Sequence, residues 1–111
     1  ITLHHLSDFW KQIALCRLHD LLKPGGKMFL ADIVFGFDPR AYEQTIDNWL
    51  NYMRELAGPQ MADEAVVHVR DEFSTWDWVM SGMLERAGFR IEQSLNTMPQ
   101  MREYICSKTE E

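Results

Sequence analysis

The chain has 111 residues, 46% hydrophobic and 25% charged, which fits one small folded domain and excludes a disordered segment. A net charge of -6 and a pI near 5.1 leave no basic patch for nucleic-acid phosphates, so a small-molecule partner is expected and nucleic acid is not. No run of ~18 apolar residues is present to span a membrane, and Ile1 to Leu22 lacks the cationic start and cleavage site of a signal peptide, so no membrane partner and a cytoplasmic location are expected.

Ser7 to Leu22 reads as a helix, with Ser7 as N-cap and Asp8 in the first turn. Trp10, Ile13, Ala14, Leu18 and Leu21 recur at helical spacing and form a stripe that calls for a partner. Lys23-Pro24 ends the helix, because the residue before a proline avoids the α region, and Gly25-Gly26 permits the sharp reversal that follows. Met28 to Phe35 is then a strand too continuously apolar for half exposure, so it is expected to be buried on both faces, as in a parallel sheet between helices. Asp38-Pro39 starts a second helix running to Ala57, with Tyr42, Ile46, Trp49, Leu50, Met53 and Leu56 on one face and Gly58-Pro59 ending it. Met61 to Phe73 is a weaker helix. Ser74 or Thr75 caps the next, which carries Trp76, Val79, Met80, Met83, Leu84 and Ala87 before Gly88. Phe89 to Thr97 and Met101 to Lys108 are two strands joined closely enough to pair antiparallel.

The order of four short segments carries a family resemblance. Leu3-His4-His5-Leu6-Ser7-Asp8, then Arg17 with Leu21-Leu22-Lys23-Pro24-Gly25-Gly26, then Leu30-Ala31-Asp32, then Leu84-Glu85-Arg86-Ala87-Gly88-Phe89 together resemble the second half of a class I S-adenosylmethionine-dependent methyltransferase, in register from Ile1 to Lys108. The resemblance implies an α/β, Rossmann-like fold: a mixed sheet with helices on both faces, whose last strand inserts antiparallel beside the strand after Gly26. It also implies S-adenosyl-L-methionine as cofactor and a small-molecule methyl acceptor as substrate. The family's Gly-rich cofactor loop and its ribose-binding acidic residue have no counterpart among these residues. Residues 1–111 are therefore expected to be the C-terminal part of a single methyltransferase domain, without its N-terminal cofactor-binding half and inactive alone. Without the neighbouring strand, Met28 to Val34 would expose an edge, through which the chain is expected to self-associate. A non-catalytic methyltransferase-like module for dimerisation or partner binding is the competing reading. A hydrolase is not supported, since no Gly-x-Ser-x-Gly occurs.

Methyl transfer asks little of side chains, because the sulfonium is already electrophilic, so no catalytic triad is expected. The resemblance puts Leu3, His4 and His5 against the cofactor, with His5 the candidate general base; otherwise both histidines fill a loop before Ser7. Asp32 inside an apolar strand needs a partner, and either contacts substrate or accepts backbone hydrogen bonds at the strand end. Phe37, Tyr42, Trp49 and Met53 either wall a substrate pocket or belong to the core. Trp76 falls on the buried stripe and Trp78 off it. Cys16 and Cys106 lack redox or metal spacing and are expected to be reduced packing residues. His19 and His68 complete a set of histidines without zinc-ligand spacing, so no metal is expected.

Overall fold

The computed structural model describes residues 3–98 and 101–109. Residues 1–2, 99–100 and 110–111, and the side chains of His68, Thr97 and Met98, lie outside the described residues. A short 3-10 turn, Leu3–His5, leads into α1 (Asp8–Leu21), followed by β1 (Lys27–Phe35), a 3-10 turn at Pro39–Ala41, α2 (Tyr42–Ala57), α3 (Pro59–Asp71), β2 (Thr75–Trp76), α4 (Asp77–Ala87), β3 (Phe89–Met98) and β4 (Met101–Lys108).

The junction after α1 is built as its residues dictate. Leu22 is extended ahead of Pro24, Gly25 takes φ 78°, and a Cβ on Gly26 would lie 2.8 Å from the Lys23 carbonyl. The turn is tied to the last strand: Gly25 N donates to the Lys108 carbonyl at 2.9 Å, and Lys108 N to the Gly26 carbonyl at 2.8 Å. The Lys108 ammonium also donates to the carbonyls of His19 and Leu22, placing a cation where the α1 dipole is negative. Ser7 occupies the N-cap position, but its side chain makes no capping bond. Asp38 does cap, accepting from Arg40 N at 3.0 Å.

The sheet order is β2-β1-β4-β3, with β1–β2 parallel and both other pairs antiparallel. The last strand therefore inserts beside β1 as expected, from Lys27 opposite Ser107 to Ile33 opposite Met101. One face packs against α1 and α4, where Leu30, Val34, Tyr104 and Cys106 meet Leu15, Met80 and Leu84. Both cysteines are free thiols, and burial pushes that of Cys106 up to about 11, with Glu92 adding to the effect.

Several expectations need correction. β1 is not buried on both faces: its accessibility alternates, and Phe29 is 61% exposed with Ala31 also open. Helices reach this second face only at its far end, where Trp49 meets Phe35 at 6.5 Å between ring centroids. The α1 stripe is likewise open, with Trp10 and Leu21 exposed along an apolar groove; α1 buries Lys11 and Leu15 instead, because that side faces α4, where Gln12 donates to the Met83 carbonyl. On α2 only Trp49 is buried, and α3 starts at Pro59 and buries Ala62 and Ala65. Thr75 does not cap α4 but pairs with Val34 as part of β2, leaving Trp76 at the N-cap. Gly88 ends α4 at φ 105°, where glycine is needed.

Candidate functional site

The Leu3–His5 turn sits at the edge of the core. Leu3 is anchored in the hydrophobic cluster at 1% exposure, which turns His4 inward beneath the surface and leaves the His5 side chain 60% exposed. Asp32 on β1 is 4% exposed, and its Oδ1 lies 2.7 Å from His4 Nδ1 while accepting the Ile33 N–H at 2.8 Å. On the other side of the ring, His4 Nε2 lies 2.9 Å from Oε2 of Glu72, which follows α3. His5 Nε2 stands 3.5 Å from the same oxygen, and the two imidazoles meet edge to face at 4.5 Å.

A buried lysine positions this arrangement. Lys11 is 1% exposed, and its ammonium donates to the Phe73 carbonyl; the Phe73 N–H donates to the His4 carbonyl at 2.7 Å. The strand end, the first turn and the segment after α3 are thus joined through three consecutive groups. Sequence order gives no hint of this, because Glu72 and Phe73 lie more than sixty residues from the turn they complete.

The chemistry follows from donor and acceptor inventory. A carboxylate at Nδ1 fixes the tautomer in which Nδ1 carries the proton, so Nε2 presents its lone pair. Nε2 then faces a second carboxylate oxygen, and two acceptors at 2.9 Å require a proton between them. The trio is therefore suited to take up and hold one proton. The ligand atoms of His4, His5 and Glu72 also lie within 4.8 Å of one another, a set able to hold a divalent cation. Two tetrahedral ligands at zinc distances stand about 3.3 Å apart, however, so the 2.9 Å separation fits a shared proton better.

The remaining candidates divide. Phe37 joins an aromatic cluster with Phe35 and Trp76 at 5.6 and 5.1 Å, and Trp49 joins it through Phe35. Trp76 and Trp78 stack at 5.0 Å, so Trp78 belongs to the cluster too. Tyr42 stands apart, 54% exposed and bonded to Glu43. Asp32 is engaged by His4 and by the backbone N–H of Ile33, within β1 and not at its end. Glu72 and Lys11 are the site residues that the sequence did not single out.

No protein-family model matches the chain. It is similar to an uncharacterized methyltransferase of Bacillus cereus, 32% identical over 88 residues that cover 79% of this chain and 37% of the relative, and to one of Bacillus mycoides at 30% over the same shares. The chain thus spans about 37% of the length of these curated relatives. Its fold is similar to that of an O-methyltransferase family 2 protein from Planctomyces limnophilus solved in complex with apigenin, with a TM-score of 0.63 and 12% identity over 98% of this chain and 29% of that one.

Proposed function

We propose that this chain, related in sequence and fold to class I methyltransferases, is the acceptor-side part of an S-adenosylmethionine-dependent enzyme that methylates a small molecule, with His4 taking the acceptor's proton. The observation that carries the reading is the buried His4 imidazole held between Asp32 and Glu72. It moves the general-base role from His5 to His4, since His5 lacks a carboxylate on its inner nitrogen among the contacts described.

The cofactor fits these residues only in part. Leu3 is committed to the core and His4 to its carboxylates, so His5 and the backbone of the Leu3–His5 turn are what this chain offers to it. When bound, the cofactor supplies an electrophilic methyl on sulfur. Asp32 holds His4 in the receptive tautomer and balances the positive ring once Nε2 accepts the proton of the oxygen, nitrogen or sulfur being methylated. Glu72, with its side chain 24% exposed, is the outer member: it first carries the shared proton out to solvent, which frees the Nε2 lone pair, and afterwards takes the acceptor's proton from His4. The fold neighbour solved with apigenin supports a small organic acceptor.

The test is methyl transfer from radiolabelled S-adenosylmethionine to a panel of phenols, carboxylates and amines, using the full-length protein that carries this chain. His4→Gln is expected to lower kcat by about 10² or more, the range of a lost general base, and His5→Gln by less than about fivefold. Equal activity of His4→Gln and wild type would remove His4 from the mechanism.

A second reading rests on a separate observation. Between Lys27 and Ile33 the edge of β1 opposite β4 is unpaired among the described residues, since β2 covers only Val34 and Phe35. This supports pairing of that edge with a further strand, in this chain by itself a second copy. Sedimentation of the 111-residue chain tests it, and a clean monomer at high concentration excludes it.

A further inference from the structure

His4 Nε2, His5 Nε2 and Glu72 Oε2 lie within 4.8 Å of one another, with His4 buried, Glu72 half-buried and His5 open to solvent. Two imidazoles and a carboxylate are the ligand types of a three-ligand zinc site that keeps its fourth position open. At zinc bond lengths of about 2.0–2.2 Å, tetrahedral ligand atoms stand about 3.3 Å apart. His5 Nε2 and Glu72 Oε2, at 3.5 Å, are close to that spacing, and His4 Nε2 and Glu72 Oε2, at 2.9 Å, need to open by about 0.4 Å. The remaining edge, between the two imidazoles, closes by rotation of the exposed His5 side chain.

Two further features raise these atoms above a chance cluster. His4 Nδ1 lies 2.7 Å from Asp32 Oδ1, which keeps the proton on the inner nitrogen and leaves the Nε2 lone pair for a ligand bond. A carboxylate behind a ligating histidine is the outer-shell partner that fixes ring orientation in metal sites. Glu72 is held through its neighbour, since Phe73 N donates to the His4 carbonyl and Lys11 to the Phe73 carbonyl. Charge favours a cation as well: Asp32 and Glu72 bring two carboxylates, while the Lys11 ammonium is turned to that carbonyl and to Asp8 at 3.5 Å.

We propose that His4, His5 and Glu72 bind one zinc ion, with water at the fourth position, and that the ion replaces the proton shared by His4 and Glu72. The displaced proton passes to solvent. An ion on Nε2 occupies the lone pair that must receive the acceptor's proton, so zinc is a reversible inhibitor of the transfer proposed above. The inhibition rests on His4 as general base, whereas the binding does not.

Zinc chloride alone is the probe, titrated into the 111-residue chain in competition with a chromophoric chelator, with circular dichroism checking that each variant is folded. One zinc per chain is expected. Asp32→Asn is expected to weaken binding about tenfold, the lower end of an outer-shell loss, because Asn still accepts from His4 Nδ1. His5→Gln, at an exposed position, and Glu72→Gln should each weaken it by more than that, and His19→Gln, on α1, by nothing measurable. In the enzyme proposed above, saturating zinc should lower kcat at least about tenfold, EDTA should restore it, and His5→Gln should lose this response relative to its own zinc-free rate. The proposal is overturned if the wild type takes up no stoichiometric zinc, if binding survives both His5→Gln and Glu72→Gln, or if His19→Gln weakens it as much as His5→Gln. Binding that depends on His5 and Glu72 yet leaves kcat untouched upholds the metal site and overturns both the inhibition and the base role of His4.

Discussion

Replacing His4 by Gln isolates the energetics of the trio. Asp32 is 4% exposed; Oδ1 has the His4 ring and the Ile33 N–H, and Oδ2 is buried with no hydrogen-bond partner among the described residues. Without the imidazole the carboxylate keeps one backbone donor, and breaking one side of a buried charge pair costs about 3–5 kcal/mol. Gln cannot supply both ring-nitrogen positions at once and leaves Asp32 without the Nδ1 donor, so a loss of about 3 kcal/mol is expected. Asp32→Asn removes the charge but keeps an oxygen for Ile33 N and His4, so about 1–2 kcal/mol is expected, the difference between charged and neutral hydrogen bonds. In the double variant no buried charge is stranded, and its loss should fall short of the sum by at least about 1.5 kcal/mol. Urea unfolding of the 111-residue chain, followed by far-UV circular dichroism, gives all four corners of the cycle. Coupling below about 0.5 kcal/mol would show that the two groups do not share a buried interaction, and the proposed base would lose its support.

Other outcomes follow from neighbouring features. In the enzyme proposed above, Asp32→Asn should lower kcat by about 10² with the cofactor KM unchanged, whereas Tyr104→Phe, which removes a 2.7 Å bond to Asp77, should cost about 1 kcal/mol of stability and leave kcat alone; equal kinetic effects would deny Asp32 a special role. Lys11→Met should unseat the Phe73 segment and lower kcat, with partial rescue by Lys11→Arg, since only a donor can hold the Phe73 carbonyl; kcat that stays at wild-type level in Lys11→Met counts against the clamp. Because burial raises the Cys106 thiol from 9.0 to about 11, both states are protonated below pH 9, and above it the unfolded chain loses its proton first. The urea midpoint should therefore fall between pH 9 and 11, and Cys106→Ala should remove that part of the decline. Tyr104, also raised by burial, adds to the decline from about pH 10 upward, where the unfolded chain's phenol loses its proton first.

The parts of the fold legible in the sequence were those fixed by local chemistry. The Pro24-Gly25-Gly26 turn, the Asp38 cap and the Gly88 helix end each follow from what one or two residues permit, and the structure has all three. Burial was less legible because it depends on what lies opposite. Trp10 and Leu21 have the spacing of a buried stripe, yet the helix packs through Lys11 and Leu15, since α4 approaches from that side. Periodicity counts apolar residues and is blind to a lysine whose ammonium is satisfied by a carbonyl from another element.

The site shows the same division more sharply. Asp32 was conspicuous, because a carboxylate in an apolar strand demands a partner, and the His4-His5 pair was conspicuous as a titratable turn at the sheet rim. Which histidine meets Asp32 is decided by the anchoring of Leu3 in the core, which turns its neighbour inward and His5 outward. Glu72 has no such local signature: it ends a weakly patterned segment rich in acidic residues, any of which would serve equally well from the sequence. What selects it is the Lys11–Phe73–His4 chain of bonds, which fixes the backbone beside it and brings its carboxylate to the second ring nitrogen. A proton-holding site of this kind is legible in sequence only where one member is out of place in its own element, as Asp32 is, and the partners that complete it come from the fold.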